Sequence, residues 1–176
     1  SKIEAGHFDV NNTNFRTSTI AANVVNMFKA RAREKNIELT YVIADDVPIN
    51  LFGDFNKIIQ ILINLVGNAI KFTHQGFVTI QVLLEEQQAE EQLLLRFEVL
   101  DTGKGIPKEK HAAIFMPLEQ ATQSERGTGL GLSISKRFAE MLGGELTVYS
   151  EPGIGSRFIF TLPLSTAEEG VLILAN

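Results

Sequence analysis

Cysteine is absent from this 176-residue chain. That excludes disulfides, a thiolate metal centre and a cysteine nucleophile, and it is compatible with the cytosol. Long apolar runs are missing too: no stretch approaches the ~18 consecutive apolar residues of a membrane-spanning helix, and no secretory signal is recognisable. There is no block rich in lysine and arginine, and the formal net charge is −5, which argues against general nucleic-acid binding. Internal repeats and low-complexity tracts are lacking. What remains is 44% hydrophobic and 21% charged, ordinary for a globular protein and long enough for one sizeable core. The opening phrase SKIEAG and the apolar stub GVLILAN both read as cut ends, so an excised domain is expected.

Hydrophobic periodicity lays out the elements. Residues 1–6 read as a helix end closed by Gly6, 7–10 as a short strand and 11–14 as a polar turn. A helix is expected from Thr17 or Ser18 to about Lys35, with Ile20, Val24, Met27, Phe28 and Ala32 on its apolar face and Asn36 as its stop. Residues 37–43 alternate as a strand does. After a turn at 45–48, Gly53-Asp54 opens a second helix with Asp54 as N-cap; 61–73, ILINLVGNAIKFT, is its apolar body. Residues 77–84 and 93–100 read as a hairpin across the acidic connector 85–92. A short helix is expected around 108–115 and a longer one at 130–142, closed by Gly143-Gly144. Two more strands, 145–150 and 157–164, flank a turn at 152–155.

Roughly three helices and about five strands in this order predict a two-layer α/β sandwich, a mixed and mainly antiparallel sheet covered on one face. The regular βαβ alternation of a dinucleotide-binding fold is missing. Residues 7–164 are expected to form the domain, between a helix end at 1–6 and a linker or the start of another domain at 165–176.

Two asparagines interrupt the apolar body of the second helix. Asn64 and Asn68 are four residues apart and share one face, which Lys71 and Phe72 continue. A buried amide is costly unless something hydrogen-bonds it. An amide oxygen can ligate Mg²⁺ and an ammonium can neutralise phosphate, so this face suits a polar ligand. The plainer alternative is a core helix whose amides bond neighbouring backbone. A second cluster, Asp101-Thr102-Gly103-Lys104-Gly105-Ile106, ends an apolar strand. Its carboxylate can accept from an exocyclic amine and its glycines let backbone approach a flat ring, although Asp-x-Gly is also a common turn. The third cluster is Gly127, Thr128, Gly129, Leu130, Gly131 and Leu132 at a helix start, where free N–H groups suit phosphate. It has neither the spacing of a dinucleotide fingerprint nor the Gly-Lys-Ser/Thr of a Walker loop; a plain flexible loop is the alternative.

In this order the clusters resemble the ATP-binding catalytic domain of two-component sensor histidine kinases, the hybrid type in particular. That domain belongs to the superfamily shared with DNA gyrase, a heat-shock chaperone and mismatch-repair ATPases. Residues 64–72 resemble its asparagine box, 101–105 its first glycine box, 114–118 its phenylalanine box and 127–131 its second glycine box. The resemblance covers 1–164, and SKIEAG resembles the end of the second dimerisation helix. It implies the Bergerat-type ATP-binding fold, with ATP and Mg²⁺ as ligands. Asn64 would hold the metal, with Asn68 beside it on the phosphates. Lys71 would contact phosphate, and Phe72 would line the pocket. Asp101 would receive the adenine amino group above a floor of Gly103, Gly105 and Ile106. Gly127, Thr128, Gly129, Leu130 and Gly131 would bind the phosphates, Arg126 would reach the γ-phosphate, and Ser156 would help hold the base.

The ATPases that this helix resembles carry a glutamate four residues before the second asparagine, where it activates water. Asn64 stands there instead, and an amide is no general base at neutral pH. Transfer to another nucleophile is therefore expected, with Asn64 and Lys71 as the catalytic pair. His7, His74 and His111 lack metal-ligand spacing and are read as solvated surface residues. The acceptor histidine is expected on separate dimerisation helices, with a receiver domain or response regulator downstream. Nucleic acid and direct membrane contact are not expected; the location is taken as cytoplasmic, within a sensor of open membrane topology. The polar stretch between Phe115 and Gly127 is expected to be a mobile lid, and Glu85, Glu86, Glu90 and Glu91 a solvated hairpin tip. The rival readings are an ATP hydrolase of the same superfamily, a non-catalytic nucleotide-sensing module, and a plain structural domain.

Overall fold

The computed structural model describes residues 9–117 and 131–166. Among them, three α-helices pack on a seven-stranded sheet around one hydrophobic core. In chain order the elements are β1 (Thr13–Arg16), α1 (Thr17–Glu34), β2 (Ile37–Ile43), β3 (Asn50–Gly53), α2 (Phe55–Phe72), β4 (Gly76–Gln87), β5 (Gln92–Asp101), α3 (Gly131–Met141), β6 (Glu145–Glu151) and β7 (Gly155–Thr166). The expected α/β two-layer sandwich is what forms.

The helices follow their apolar stripes. Ile20, Ala21, Val24 and Ala32 are buried on α1, which stops where Asn36 takes a φ of 57°, a left-handed conformation that asparagine tolerates. Seven apolar residues of α2, from Ile58 to Ile70, are buried. Its N-cap is the expected Asp54, whose Oδ1 accepts the Lys57 N–H at 3.1 Å. The other carboxylate oxygen accepts the Asn11 N–H at 2.9 Å and the Lys57 ammonium at 3.0 Å. Lys57 also donates to the Asp9 carbonyl at 2.7 Å, and its Nζ lies 5.9 Å from the centre of the Phe138 ring on α3.

The strands run in the order β1-β3-β7-β5-β4-β2, with β6 also on β7. Only β2 and β4 pair in parallel; the other pairs are antiparallel. Alternation puts Val78, Ile80 and Val82 of β4, Leu93, Leu95, Phe97 and Val99 of β5, and Phe158, Phe160 and Leu162 of β7 into the core. Phe97 and Phe160 stack at 5.8 Å. Carrying the same period one step further along β5 brings in Asp101, beside Val78 on one neighbour and Ser156 on the other. The helix-covered face thus ends in a carboxylate, and the site is built there.

Several element boundaries differ from expectation. The first strand lies at Thr13–Arg16 rather than 7–10; Asp9 and Val10 are not strand, and His7 lies outside the described residues. Phe15 draws the supposed turn into the sheet by pairing opposite Leu51 and packing 5.6 Å from Phe55. β3 was not expected at all. The short helix at 108–115 is two 3₁₀ turns, Lys108–Lys110 and Ala113–Phe115. β4 and β5 reach further into the acidic connector, and a register shift falls between Leu84 and Glu86. β7 runs to Thr166, so the first two residues of the expected linker are strand, and the rest lie outside the described residues. No helix among the described residues is long and apolar enough to cross a membrane.

Candidate nucleotide-binding site

Asn64 sits half-buried where α2 meets the start of α3. Its amide nitrogen donates to the Gly131 carbonyl at 3.0 Å and to the Ser135 hydroxyl at 2.9 Å. A carbonyl only accepts, so the Gly131 contact fixes which end of the amide points there. With both N–H groups used, Oδ1 is the atom left to offer a ligand. The plain reading, an amide bonded to neighbouring backbone, therefore holds for the nitrogen, and the ligand reading rests on the oxygen alone. Ser135 is fully buried, and sequence reading missed it; its spacing of four residues from Gly131 along α3 was the available signal. Asn68, one turn along α2, is half-buried.

At the end of α2, Phe72 has two cations near its ring. Lys71 Nζ is 5.1 Å and Lys104 Nζ 4.9 Å from its ring centre. Lys104 was not among the expected site residues, although it stands inside the quoted glycine cluster. The helix end is held from α1: the Lys35 ammonium donates to the carbonyls of Ile70 at 2.5 Å and Lys71 at 3.2 Å. Cations at a helix C-terminus satisfy its orphan carbonyls and complement its dipole.

The Asp101 carboxylate accepts the Gly103 N–H at 2.8 Å. Burial pushes its proton affinity above the usual range, while the Gly103 and Ser156 N–H groups pull it back. Gly103 is required here: a Cβ would stand 2.6 Å from the Phe72 carbonyl oxygen and 2.9 Å from Asp101 Oδ1. Gly105 has a φ of +73°, and a Cβ would meet the Glu151 carbonyl oxygen at 2.0 Å. The β6–β7 turn closes against this loop through a Gly153 N–H bond to the Lys104 carbonyl at 2.7 Å.

Ile106 packs against the core, and its N–H donates to the Ser150 hydroxyl at 2.7 Å. Ser150 donates to the Gly155 carbonyl at 3.0 Å, and its oxygen lies 2.7 Å from the Ser156 hydroxyl. A serine has one proton to give. Ser156 must then donate to Ser150, which leaves the Ser156 oxygen as an acceptor beside Asp101.

The structure therefore brings Asn68, Lys71, Phe72, Asp101, Gly103, Gly105, Ile106 and Ser156 around the end of α2, with Asn64 and Gly131 two turns back. Arg126, Gly127, Thr128, Gly129 and Leu130 lie outside the described residues, as does the expected lid from Leu118 onward. Of the phenylalanine box, Phe115 is half-buried, edge-on to Phe158 at 6.2 Å, with Lys136 Nζ 4.9 Å from its ring centre. His111 corrects an expectation. It is half-buried, and its Nε2 donates to the Ile106 carbonyl at 2.9 Å, so it props the first glycine loop instead of lying free in solvent. A separate cleft of about 200 Å³ at the far end of β7, walled by Phe52, Met141, Leu162 and Leu164, includes none of these residues.

Residues 53–166 match the family model described as histidine kinase-, DNA gyrase B-, and HSP90-like ATPase. The chain belongs to that family. It is 41% identical to the sensor protein GacS of Pseudomonas syringae pv. syringae, over 96% of this chain and 19% of that protein. It is 39% identical to hybrid signal transduction histidine kinase K of Dictyostelium discoideum, over 97% of this chain and 15% of the relative. The chain thus spans less than a fifth of these relatives. Among solved structures, full-length ShkA in complex with AMPPNP superposes with a TM-score of 0.78 at 31% identity, over 90% of this chain and 32% of ShkA. The catalytic domain of histidine kinase ThkA gives 0.72 at 31% identity, over 87% of this chain and 95% of that one. ThkA in complex with the response regulator TrrA gives 0.67 at 28% identity, over 88% of this chain and 42% of that one. The histidine kinase branch of the family is the one this chain resembles throughout.

Proposed function

We propose that this chain is the ATP-binding catalytic domain of a sensor histidine kinase, which delivers the γ-phosphate of ATP to a histidine on separate dimerisation helices. The observation that carries this is Asn64. It occupies the place where hydrolysing relatives would need a carboxylate, its N–H donors are taken, and its remaining oxygen lies beside Gly131, 3.5 Å from where a Cβ would stand. Nothing at that position takes a proton from water at neutral pH.

The remaining residues bind and orient. Asp101 accepts from the adenine amino group, Ser156 adds an acceptor, and Gly103, Gly105 and Ile106 form the floor. Phe72 lines the pocket, with Lys71 on phosphate and Asn68 beside it. Arg126, Gly127, Thr128, Gly129, Leu130 and Gly131 complete the phosphate side. Among the described residues no three His, Cys, Asp or Glu side chains gather as a metal cage. A Mg²⁺ ion would depend on Asn64 Oδ1 and the phosphates themselves, the usual habit of a cation that keeps most of its ligands outside the protein. When bound it supplies neutralisation of phosphate charge, and phosphoryl transfer needs little beyond that and positioning. The partners in this reading are the dimerisation helices and a receiver domain or response regulator, and the location is the cytoplasmic part of the sensor.

The test is a titration with an ATP analogue and Mg²⁺, followed by addition of separately made dimerisation helices and radiolabelled ATP. Micromolar-range binding, slow hydrolysis and label on the helices are expected. Failure to bind nucleotide sinks the reading, rapid hydrolysis by the chain alone favours an ATPase, and binding without transfer to any competent helix pair favours a sensing module.

A further inference from the structure

The Thr73 hydroxyl is fully buried and has no hydrogen-bond partner. It is the sole described side-chain atom in that condition. A buried hydroxyl left unmet is destabilising, so its direction matters. A Cβ placed on Gly103 would be 2.9 Å from Thr73 Oγ1 and also 2.9 Å from Asp101 Oδ1. The hydroxyl and the carboxylate therefore both lie close to the same backbone point. Thr73 also follows Phe72 directly, on the helix end that Lys35 holds and whose Phe72 carbonyl accepts the Lys104 N–H at 3.3 Å. An aspartate offers about four lone-pair positions; two backbone N–H groups, of Gly103 and Ser156, take part of that capacity.

We propose that Thr73 is a positioning residue for the nucleotide base: its hydroxyl donates to the Asp101 carboxylate when nucleotide binds and fixes the orientation in which that carboxylate meets the exocyclic amine. This rests on the reading of Asp101 as the adenine acceptor. The unmet bond of the free protein is then completed only in the complex, so part of the strength of that bond appears as affinity. The helix that carries Asn64 and Lys71 is thereby tied at its tip to the base as well as to the phosphates.

The shape-matched Thr73→Val removes the hydroxyl and keeps the volume, and Thr73→Ser keeps the hydroxyl. Dissociation constants for an ATP analogue with Mg²⁺ and melting temperatures are measured for both variants and for Asp101→Asn. Thr73→Val is expected to bind about tenfold more weakly, a change of about 1.4 kcal/mol, with a melting temperature equal to or above that of the parent. Thr73→Ser should bind within about threefold of the parent. Unchanged binding by Thr73→Val overturns the proposal, as does equal loss in Thr73→Ser, which would make the side chain a packing residue. If Asp101→Asn binds normally, the base-site reading itself falls and this proposal with it. Loss in Asp101→Asn alongside unchanged Thr73→Val removes Thr73 only.

Discussion

Asn64→Asp tests two properties of one position at once. The substitution puts an oxygen where the Gly131 carbonyl now accepts an N–H at 3.0 Å, so the folded state should lose about 1–3 kcal/mol in a urea melt. Mg²⁺-dependent use of nucleotide should be impaired while the fold persists; normal activity would remove Asn64 from the metal site. Asp101 behaves differently, because burial raises its proton affinity. The folded chain then takes up this proton at a higher pH than the unfolded chain does. The contribution of Asp101 to stability is therefore present at acid pH and lost as pH rises through its folded value. Nucleotide affinity should run the opposite way if, as proposed above, the carboxylate is what accepts from the base. Asp101→Asn should flatten that component of both profiles, leave the melt at neutral pH no lower, and weaken ATP binding by about tenfold. Equal pH profiles in parent and variant would refute it. Both residues were legible in the sequence because a polar group in an apolar period is conspicuous. Ser135, Lys35 and the bracing role of His111 were not, since each acts through a backbone or hydroxyl partner brought close only by packing.

Among the elements, α2 was the most legible: an N-cap, a continuous apolar stripe and two amides one turn apart are all local signals. β1 and β3 were the least legible. They are four-residue strands whose pairing partners lie 34 or more positions away, and short strands carry little pattern of their own. The ends of α2 are where substitutions should tell. Asp54→Ala removes the cap and two further hydrogen bonds to the second carboxylate oxygen, and a loss of about 2 kcal/mol is expected in a denaturant melt. Lys35→Met removes the cation from the carbonyls of Ile70 and Lys71. It should lower stability by about 1 kcal/mol and weaken ATP binding several-fold, because Lys71, Phe72 and Thr73 continue from those carbonyls. An unchanged dissociation constant with lowered stability would limit Lys35 to a structural role.

For the molecule as a whole, the sheet does the arranging. β7 is shared by β5 along one edge and by β6 and β3 along the other, and Asp101 and Ser156 pair at one end of that arrangement. Sequence pattern conveyed the class of this sandwich but not its strand order, which follows from which edges meet. Incubated alone with radiolabelled ATP, the chain should bind nucleotide and acquire no label; label on His111 or His74 would contradict the transfer reading. The clamp around Asp54 has a mechanical consequence. Asp9 and Asn11 are fastened to the base of α2 through Lys57 and Asp54, and Lys57 reaches across to Phe138 of α3. A helix of 18 residues is a stiff rod of about 27 Å, with Asn64 midway and Phe72 at its tip. A twist or pull arriving at Asp9 is thus loaded onto the foot of that rod, a lever with the proposed nucleotide site at its far end.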